Sequence, residues 1–329
     1  MPTNPPTIGT VERMLSLNRL PVLSGLAPED LAVVAEHARE RFLPTGTVLL
    51  REGEPIPALY AVLDGKILIS RRGRTLGRVS PGGFVGAAGM FARDPEGLSA
   101  VAQTDTLVLE VEADAVLEIC EDHFPIFHHV LREMCRLLID LVGRLPPGLH
   151  GSIFPNLAPP RAPTGDLDLV ERILFLRQVA PFLHASINAL AELSRQLAQV
   201  RFAPGITLWR EGEPAPGAYL ILSGTVHAVS EKHGLDFRAG SGVPLGAIEA
   251  GAEVPRFYDA VTETEVVALQ GTQEALLDVF EDNFVMAADF LAAVSTYLQM
   301  ILNRKIAAGQ STLGVPRDVS ALGAVPVGA

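Results

Sequence analysis

Arg51-Glu52-Gly53-Glu54-Pro55 spells REGEP, and the same five residues return as Arg210-Glu211-Gly212-Glu213-Pro214. The flanking sequence repeats as well, at a constant offset of 159 or 160 residues. The matched pairs are Val11-Glu12-Arg13 with Val170-Glu171-Arg172, Tyr60 with Tyr219, Gly65 with Gly224, Gly86-Ala87 with Gly246-Ala247, and Glu121-Asp122 with Glu281-Asp282. A period this long marks a domain and not a solenoid repeat. The chain is therefore predicted to be one structural unit duplicated.

Length and composition agree with two domains. The chain has 329 residues, of which 48% are hydrophobic, enough for two packed cores. Proline and glycine gather in one central stretch, which predicts a first domain over 1–145, a linker over 146–165 and a second domain over 166–306. The segment 307–329 is rich in glycine, alanine and proline and is expected to be a disordered tail.

The net charge and the N-terminal sequence limit the classes of partner and the location that are expected. The net charge is −12, so the chain lacks the positive surface that a phosphate backbone requires, and nucleic acid is not expected as a partner. The N-terminus has no basic stretch followed by an apolar one, which predicts a cytoplasmic protein without a signal peptide. Cys120 and Cys135 stand outside any metal-type spacing and are expected to be reduced.

Both halves show the same order of local patterns. Helical periodicity over Leu31–Arg41 follows a start signal at Pro28-Glu29-Asp30. Short apolar runs broken by glycine and proline come next and are typical of a compact barrel. A long helix is predicted to close each half. The sequence thus predicts an α+β fold of two repeated, jelly-roll-like β-rolls, each flanked by N-terminal helices and a long C-terminal helix.

These motifs resemble the cyclic-nucleotide-binding domain of the catabolite-activator and protein-kinase-A regulatory-subunit type. The likeness rests on the stretch from Gly46 through REGEP to Tyr60 and Gly65, and on its counterpart from Gly205 to Gly224. The resemblance implies a phosphate-binding cassette in each β-roll. In that cassette a Phe-Gly-Glu glutamate takes the ribose hydroxyl, an arginine after a later proline takes the cyclic phosphate, and small residues follow the arginine.

Both cassettes depart from that pattern. The first reads Val85-Gly86-Ala87 and then Pro95-Glu96, so alanine and glutamate stand where the family has glutamate and arginine. A carboxylate at a phosphate position repels the ligand. Arg93 is the only nearby arginine that could replace the missing one.

The second cassette keeps its arginine. It reads Leu245-Gly246-Ala247 and then Pro255-Arg256, followed by the large Phe257 and Tyr258. Two interpretations stay open. Arg256 forms a structural ion pair with Asp259, or Arg256 binds an anionic nucleotide, with Glu249 reaching its ribose.

Two functions follow from these alternatives. The first is a regulatory or scaffolding protein that has lost the ligand, has no cofactor and acts through protein contacts. The second is a sensor that binds cyclic AMP, cyclic GMP or a related nucleotide through Arg256. No nucleophile elbow, Walker-type loop or metal-type spacing stands in the sequence, so an enzyme is not expected, and His123, His128 and His129 are read as solvated or core residues.

The last helical stretch, Phe284 to Ile306, is the predicted contact surface. One side carries large apolar residues, and Ala287, Ala288, Ala292 and Met300 stand on the other. A helix that covers one barrel needs one apolar stripe, so a protein partner or a second copy is expected on the other side, unless the first domain or the linker covers it. A membrane span is not expected here because Asp289 lies near the middle. The Val-Glu-Arg motif also resembles the lead-in of bacterial domains attached to membrane proteins, which would allow peripheral association with one.

Overall fold

The computed structural model describes residues 9–20, 22–93, 97–143, 145 and 165–307. The chain divides into two compact units at a point inside a helix: one contains the described residues up to Val130 together with Ile306 and Ala307, and the other runs from Leu131 to Lys305. Most of the predicted linker and tail lies outside the described residues. The predicted domain boundaries therefore stay predictions.

The first unit holds two N-terminal helices, eight strands with a short helix between the sixth and seventh, and two closing helices. The helices are α1 Thr10–Asn18, α2 Pro28–His37, α3 Ala87–Ala92, α4 Ala113–Asp122 and α5 Phe124–Gly143, whose second half belongs to the second unit. The strands are β1 Arg39–Leu43, β2 Val48–Leu50, β3 Ala58–Asp64, β4 Ile67–Arg71, β5 Arg74–Val79, β6 Phe84–Val85, β7 Ser99–Ala102 and β8 Thr106–Glu112.

These eight strands form two antiparallel sheets, ordered β1-β8-β3-β6 and β2-β7-β4-β5. Their apolar side chains meet in one core that includes Tyr60, Val62 and Ile67. A second core, which includes Leu17, Leu31 and Ile119, lies under the helices. The strands alternate buried and half-buried residues, as β4 shows, because successive side chains of a strand point to opposite faces.

The second unit repeats this arrangement. Its helices are α6 Leu169–Leu176, a short 3₁₀ helix Ala180–Phe182, α7 Ile187–Gln196, α8 Ala247–Ala252, α9 Gln273–Asp282 and α10 Phe284–Ala307. Its strands are β9 Ala198–Phe202, β10 Thr207–Trp209, β11 Gly217–Ser223, β12 Val226–Ser230, β13 Leu235–Ala239, β14 Pro244–Leu245, β15 Asp259–Thr262 and β16 Val266–Thr272. The sheets are ordered β14-β11-β16-β9 and β10-β15-β12-β13. The predicted α+β fold of two repeated β-rolls is thereby confirmed.

One helix ends earlier than its periodicity predicted. The expected helix over Leu31–Arg41 stops at His37, and Arg39–Leu43 is strand β1. Antiparallel pairing with β8 holds this segment, and Arg39 and Arg41 form cross-strand ion pairs with Glu112 and Glu110 at 3.0 Å. Strand pairing has therefore overridden the local helical pattern.

The long helix α10 is largely covered within the chain. The large apolar residues on its first side, such as Phe290, Val294 and Ile301, are buried, and Ala287 on the other side is fully buried too. The expectation that this second side is free for a partner is therefore wrong for Ala287, whereas Ala288, Ala292 and Met300 are half-buried. Residues 284–304 are apolar and long enough to cross a membrane, but 61% of the 18-residue stretch that passes this test is buried inside the protein. Asp289 is buried and faces His184 at 3.1 Å, as expected of a core helix.

Candidate functional site

Each predicted cassette is a short helix that follows a two-residue strand. In the second unit, β14 ends at Leu245, Gly246 turns the chain, and α8 begins at Ala247. In the first unit, β6, Gly86 and α3 do the same. Both glycines have a positive φ, +83° at Gly246 and +105° at Gly86, which glycine adopts without steric cost.

Gly246 is also required by what lies next to it. A Cβ at this position would overlap Nη1 of Arg256 and would come within 3.2 Å of the Trp209 ring. The arginine that the sequence assigned to phosphate binding therefore lies directly against the start of the cassette.

Arg256 is bound by the protein itself. Its side chain is 5% exposed. Nη1 donates to the carbonyl oxygen of Gly246 at 2.9 Å, and Nη2 donates to that of Gly217 at 2.6 Å. The guanidinium carbon lies 4.1 Å from the centre of the Trp209 ring, a cation–π contact. Two backbone carbonyls and one aromatic face thus surround the guanidinium.

The predicted ion pair between Arg256 and Asp259 is absent among the residues that the structure describes. Asp259 starts β15 and accepts the backbone N–H of Glu211 through Oδ1 at 2.6 Å. Its carboxylate is therefore committed to the REGEP turn. Backbone carbonyls, which a sequence pattern does not reveal as partners, take the place that was assigned to Asp259.

Glu249 is the acidic neighbour of this arginine. It lies on α8 with 1% of its surface exposed, and its Oε1 has no hydrogen-bond partner among the residues that the structure describes. Burial raises the pKa of the Glu249 carboxyl, and the charge of Arg256 offsets part of that rise. The interpretation in which Glu249 reaches a ribose requires an accessible carboxylate, whereas the structure places it in the interior.

An aromatic cluster fills the second β-roll beside the cassette. We define it as Trp209, Tyr219, Phe237, Phe257 and Tyr258. Trp209 stacks on Tyr219 with ring centres 5.9 Å apart, and Tyr258 contacts Trp209 at 5.8 Å, Phe237 at 5.5 Å and Phe257 at 4.9 Å. Tyr258 is fully buried, and burial, followed by the charge of Glu249, raises its pKa well above the usual value.

The first unit has smaller residues at three of the matching positions and keeps Tyr60 opposite Tyr219. The offset places Leu50 opposite Trp209, Gly97 opposite Phe257 and Leu98 opposite Tyr258. The cassette pattern includes the large Phe257 and Tyr258, but it does not include Trp209. Its position directly before the second REGEP, where the first repeat has leucine, was the available signal.

The first cassette is described only in part. Val85 is buried, Ala87 is half-buried, and a Cβ at Gly86 would stand 3.0 Å from the carbonyl oxygen of Ala58. Pro95 and Glu96 lie outside the described residues. The glutamate that stands in place of the family's arginine is therefore known from the sequence alone.

The glutamates of the two REGEP motifs hold turns. Glu52 accepts the backbone N–H of Arg72 through Oε1 at 2.8 Å, and Glu211 accepts the hydroxyl of Ser230 through Oε2 at 2.7 Å. Arg72 directly follows β4 and Ser230 ends β12, so both partners lie where the fourth strand of their β-roll enters its hairpin turn. This agrees with a role in turn geometry.

The cassette helix α8 is held from outside by the second half of α5. Arg136 donates from Nε to the carbonyl oxygen of Ala252 at 2.9 Å, and Arg132 lies 3.5 Å from Glu253. A Cβ at Gly251 would stand 3.0 Å from the Cys135 sulfur. Cys135 and Cys120 are buried free thiols, and burial raises the pKa of Cys120 to about 12. Among the described residues no group of three or more His, Cys, Asp or Glu side chains could hold a metal.

Sequence comparison relates both β-rolls to one family. The family model of the cyclic nucleotide-binding domain matches residues 40–123 and 199–283. A CRP-like cAMP-activated global transcriptional regulator of Mycobacterium tuberculosis is 28% identical over 127 residues, which cover 37% of this chain and 57% of that protein. The cyclic AMP receptor protein of Thermus thermophilus is 29% identical over 116 residues, covering 34% and 53%. The match thus spans about half the length of these curated relatives.

Among solved structures, the regulatory domain of Toxoplasma gondii PKA with cAMP is similar. The match covers 86% of this chain and 94% of that one, at 16% sequence identity and a TM-score of 0.33.

Proposed function

Because this chain belongs to the cyclic nucleotide-binding domain family, we propose that it is a non-enzymatic regulatory protein whose second β-roll has replaced the nucleotide with its own side chains. The curated relatives are a transcriptional regulator and a cyclic AMP receptor by name, which supports a regulatory role. The observation that carries the proposal is the double hydrogen bond of Arg256 to the carbonyls of Gly246 and Gly217.

A nucleotide phosphate would have to compete with these bonds. Hydrogen bonds to a charged group are worth about 1.5–3 kcal/mol each, and breaking them would leave two carbonyls to find other partners. The guanidinium would also leave the Trp209 face, and Glu249 would lose the cation that stabilises its charge. The free energy of phosphate binding would therefore have to offset the loss of all these interactions.

Steric filling adds a second obstacle. Phe257 and Tyr258 stand directly after the arginine, where the family has small residues, and both are buried in the aromatic cluster. Interiors are packed too densely to admit a base and ribose without displacing such rings. In the first β-roll, Ala87 and Glu96 remove the carboxylate and the cation on which nucleotide binding depends. We propose that neither β-roll binds a cyclic nucleotide.

Regulation without a nucleotide would then act through protein contacts. The part of α10 that remains at the surface is a narrow strip in which Val285 is 61% exposed and Ala288 and Ala292 are half-buried. We propose this strip as the place where α10 meets a protein partner or a second copy. The negative net charge favours neither nucleic acid nor an anionic membrane surface.

Trp209 provides the test, since it is the only tryptophan of the chain and lies under Arg256. Its fluorescence is measured during titration with cyclic AMP and cyclic GMP. Arg256→Ala serves as the reference, because removing the guanidinium must change the emission if the reporter is sensitive. Unchanged emission of the wild type supports the proposal. A saturable change would support the sensor that binds through Arg256.

A further inference from the structure

A cavity lies against the cassette helix of the second unit, and none of the five residues of the aromatic cluster lines it. Its volume is about 80 Å³. Ala247, Ala250 and Gly251 of α8 form one wall, Ala218 of β11 forms another, and Phe280 of α9 lies among the residues that close it. The cavity thus joins the cassette, the β-roll and a closing helix.

The lining of this cavity is apolar. None of the described residues that line it carries a charge. Its polar side chains are those of Gln196, Thr272 and Gln273, and the first two are exposed, so they mark the mouth. A ligand site of this kind has apolar walls and a few polar groups that orient the ligand. A charged ligand would lose its hydration here without gaining a partner.

The cavity depends on small residues that only the second repeat has. The offset places Met90 opposite Ala250 and Phe91 opposite Gly251. In the first unit Phe91 is buried. In the second unit the sulfur of Cys135 lies close to Gly251. Alanine at position 250 leaves unfilled the volume that a methionine side chain, as at Met90 of the first repeat, would occupy.

We propose that the second β-roll binds a small uncharged apolar molecule behind α8, with the size of an aromatic ring or a short branched alkyl group. One water requires about 10–15 Å³, and an apolar cavity of about 150 Å³ is known to stay dry and to take up benzene. The cavity seen here falls between these values and opens at a polar mouth. A ligand in it would contact α8, the helix that carries Glu249, and would hold that helix in place.

Benzene and indole are the probes for the test. Binding to the full chain is followed through the ¹³C-labelled methyl groups of Ala218, Ala247 and Ala250. Ala250→Met, which installs the residue of the first repeat, fills the cavity. Ala198→Met adds the same volume at an exposed position of β9 and is the matched control.

The expected result is saturable binding to the wild type and to Ala198→Met, with at least tenfold weaker binding to Ala250→Met. Absence of saturable binding to the wild type up to the solubility of the probes would overturn the proposal, and so would equal binding to a folded Ala250→Met variant. If circular dichroism shows that this variant is unfolded, Ala218→Val is judged by the same criterion. The Trp209 titration with cyclic nucleotides has an independent outcome, so failure of one proposal does not decide the other.

Discussion

Nη1 of Arg256 donates a hydrogen bond to the carbonyl oxygen of Gly246 at 2.9 Å, across the turn that starts the second cassette helix. The two residues depend on each other. Glycine leaves the space that the guanidinium occupies, and the guanidinium satisfies the carbonyl of a residue whose φ is +83°. The residue that would hold a phosphate in the family is thus part of the internal framework.

Removing Arg256 should therefore destabilise the protein. Arg256→Ala loses two charge-assisted hydrogen bonds and the contact with Trp209. We expect the free energy of unfolding in urea to fall by about 3 kcal/mol or more. Arg238→Ala is the control, because Arg238 pairs with Glu263 at the surface and its loss should leave stability nearly unchanged. Equal effects of the two substitutions would show that Arg256 has no structural role.

The steric relationship between Gly246 and Arg256 can be tested separately from backbone strain. Gly246→Ala and Gly205→Ala place alanine at nearly the same φ, +83° and +81°. Nothing lies within 4 Å of the added Cβ at Gly205, whereas Gly246 faces the guanidinium. In both variants the left-handed backbone should lower the free energy of unfolding by about 1–2 kcal/mol. Only in Gly246→Ala should the contact with the guanidinium lower the free energy of unfolding by a further amount, about 1–3 kcal/mol. Equal losses in thermal or urea unfolding would contradict the contact.

Glu249 should make stability depend on pH. Its folded-state pKa is raised above the ordinary value of 4.5, so between these two values the folded protein binds more protons than the unfolded one. The stability of the wild type relative to Glu249→Gln should be highest below pH 4.5, should fall as pH rises through the raised pKa, and should then level off. Urea unfolding of both proteins over a pH series measures this difference. A difference that is constant, or that grows with pH, would show that the carboxyl is not buried as described.

Much of the fold follows from the sequence because the repeat is exact at turn residues. REGEP, Gly65 and Gly224 fix tight turns at equal spacing, and short apolar runs between them leave a β-roll as the natural arrangement. The end of α2 could not be read in the same way. Its helical pattern continues to Arg41, and only pairing with β8, which is distant in sequence, converts Arg39–Leu43 into a strand.

The location of the candidate site was predictable from the sequence, but the internal partners that hold Arg256 were not. The positions of Gly246 and Arg256 followed from the cassette pattern, and the large Phe257 and Tyr258 pointed to a filled pocket. The partners of Arg256 are main-chain carbonyls, which every residue carries, so sequence could only suggest the nearest carboxylate, Asp259. Coverage of Ala287 on α10 likewise depends on tertiary packing, which helical periodicity does not report.

Calorimetric titration of the full chain with cyclic AMP and with cyclic GMP tests the central claim most directly. The internal bonds of Arg256, the burial of Glu249 and the packing of Tyr258 predict no saturable heat for either nucleotide up to about 1 mM, a concentration that corresponds to a binding free energy of about −4.1 kcal/mol. Saturable binding with a micromolar or lower Kd that is lost in a folded Arg256→Lys variant would contradict the claim, because it would show that the arginine leaves its carbonyl partners for a phosphate.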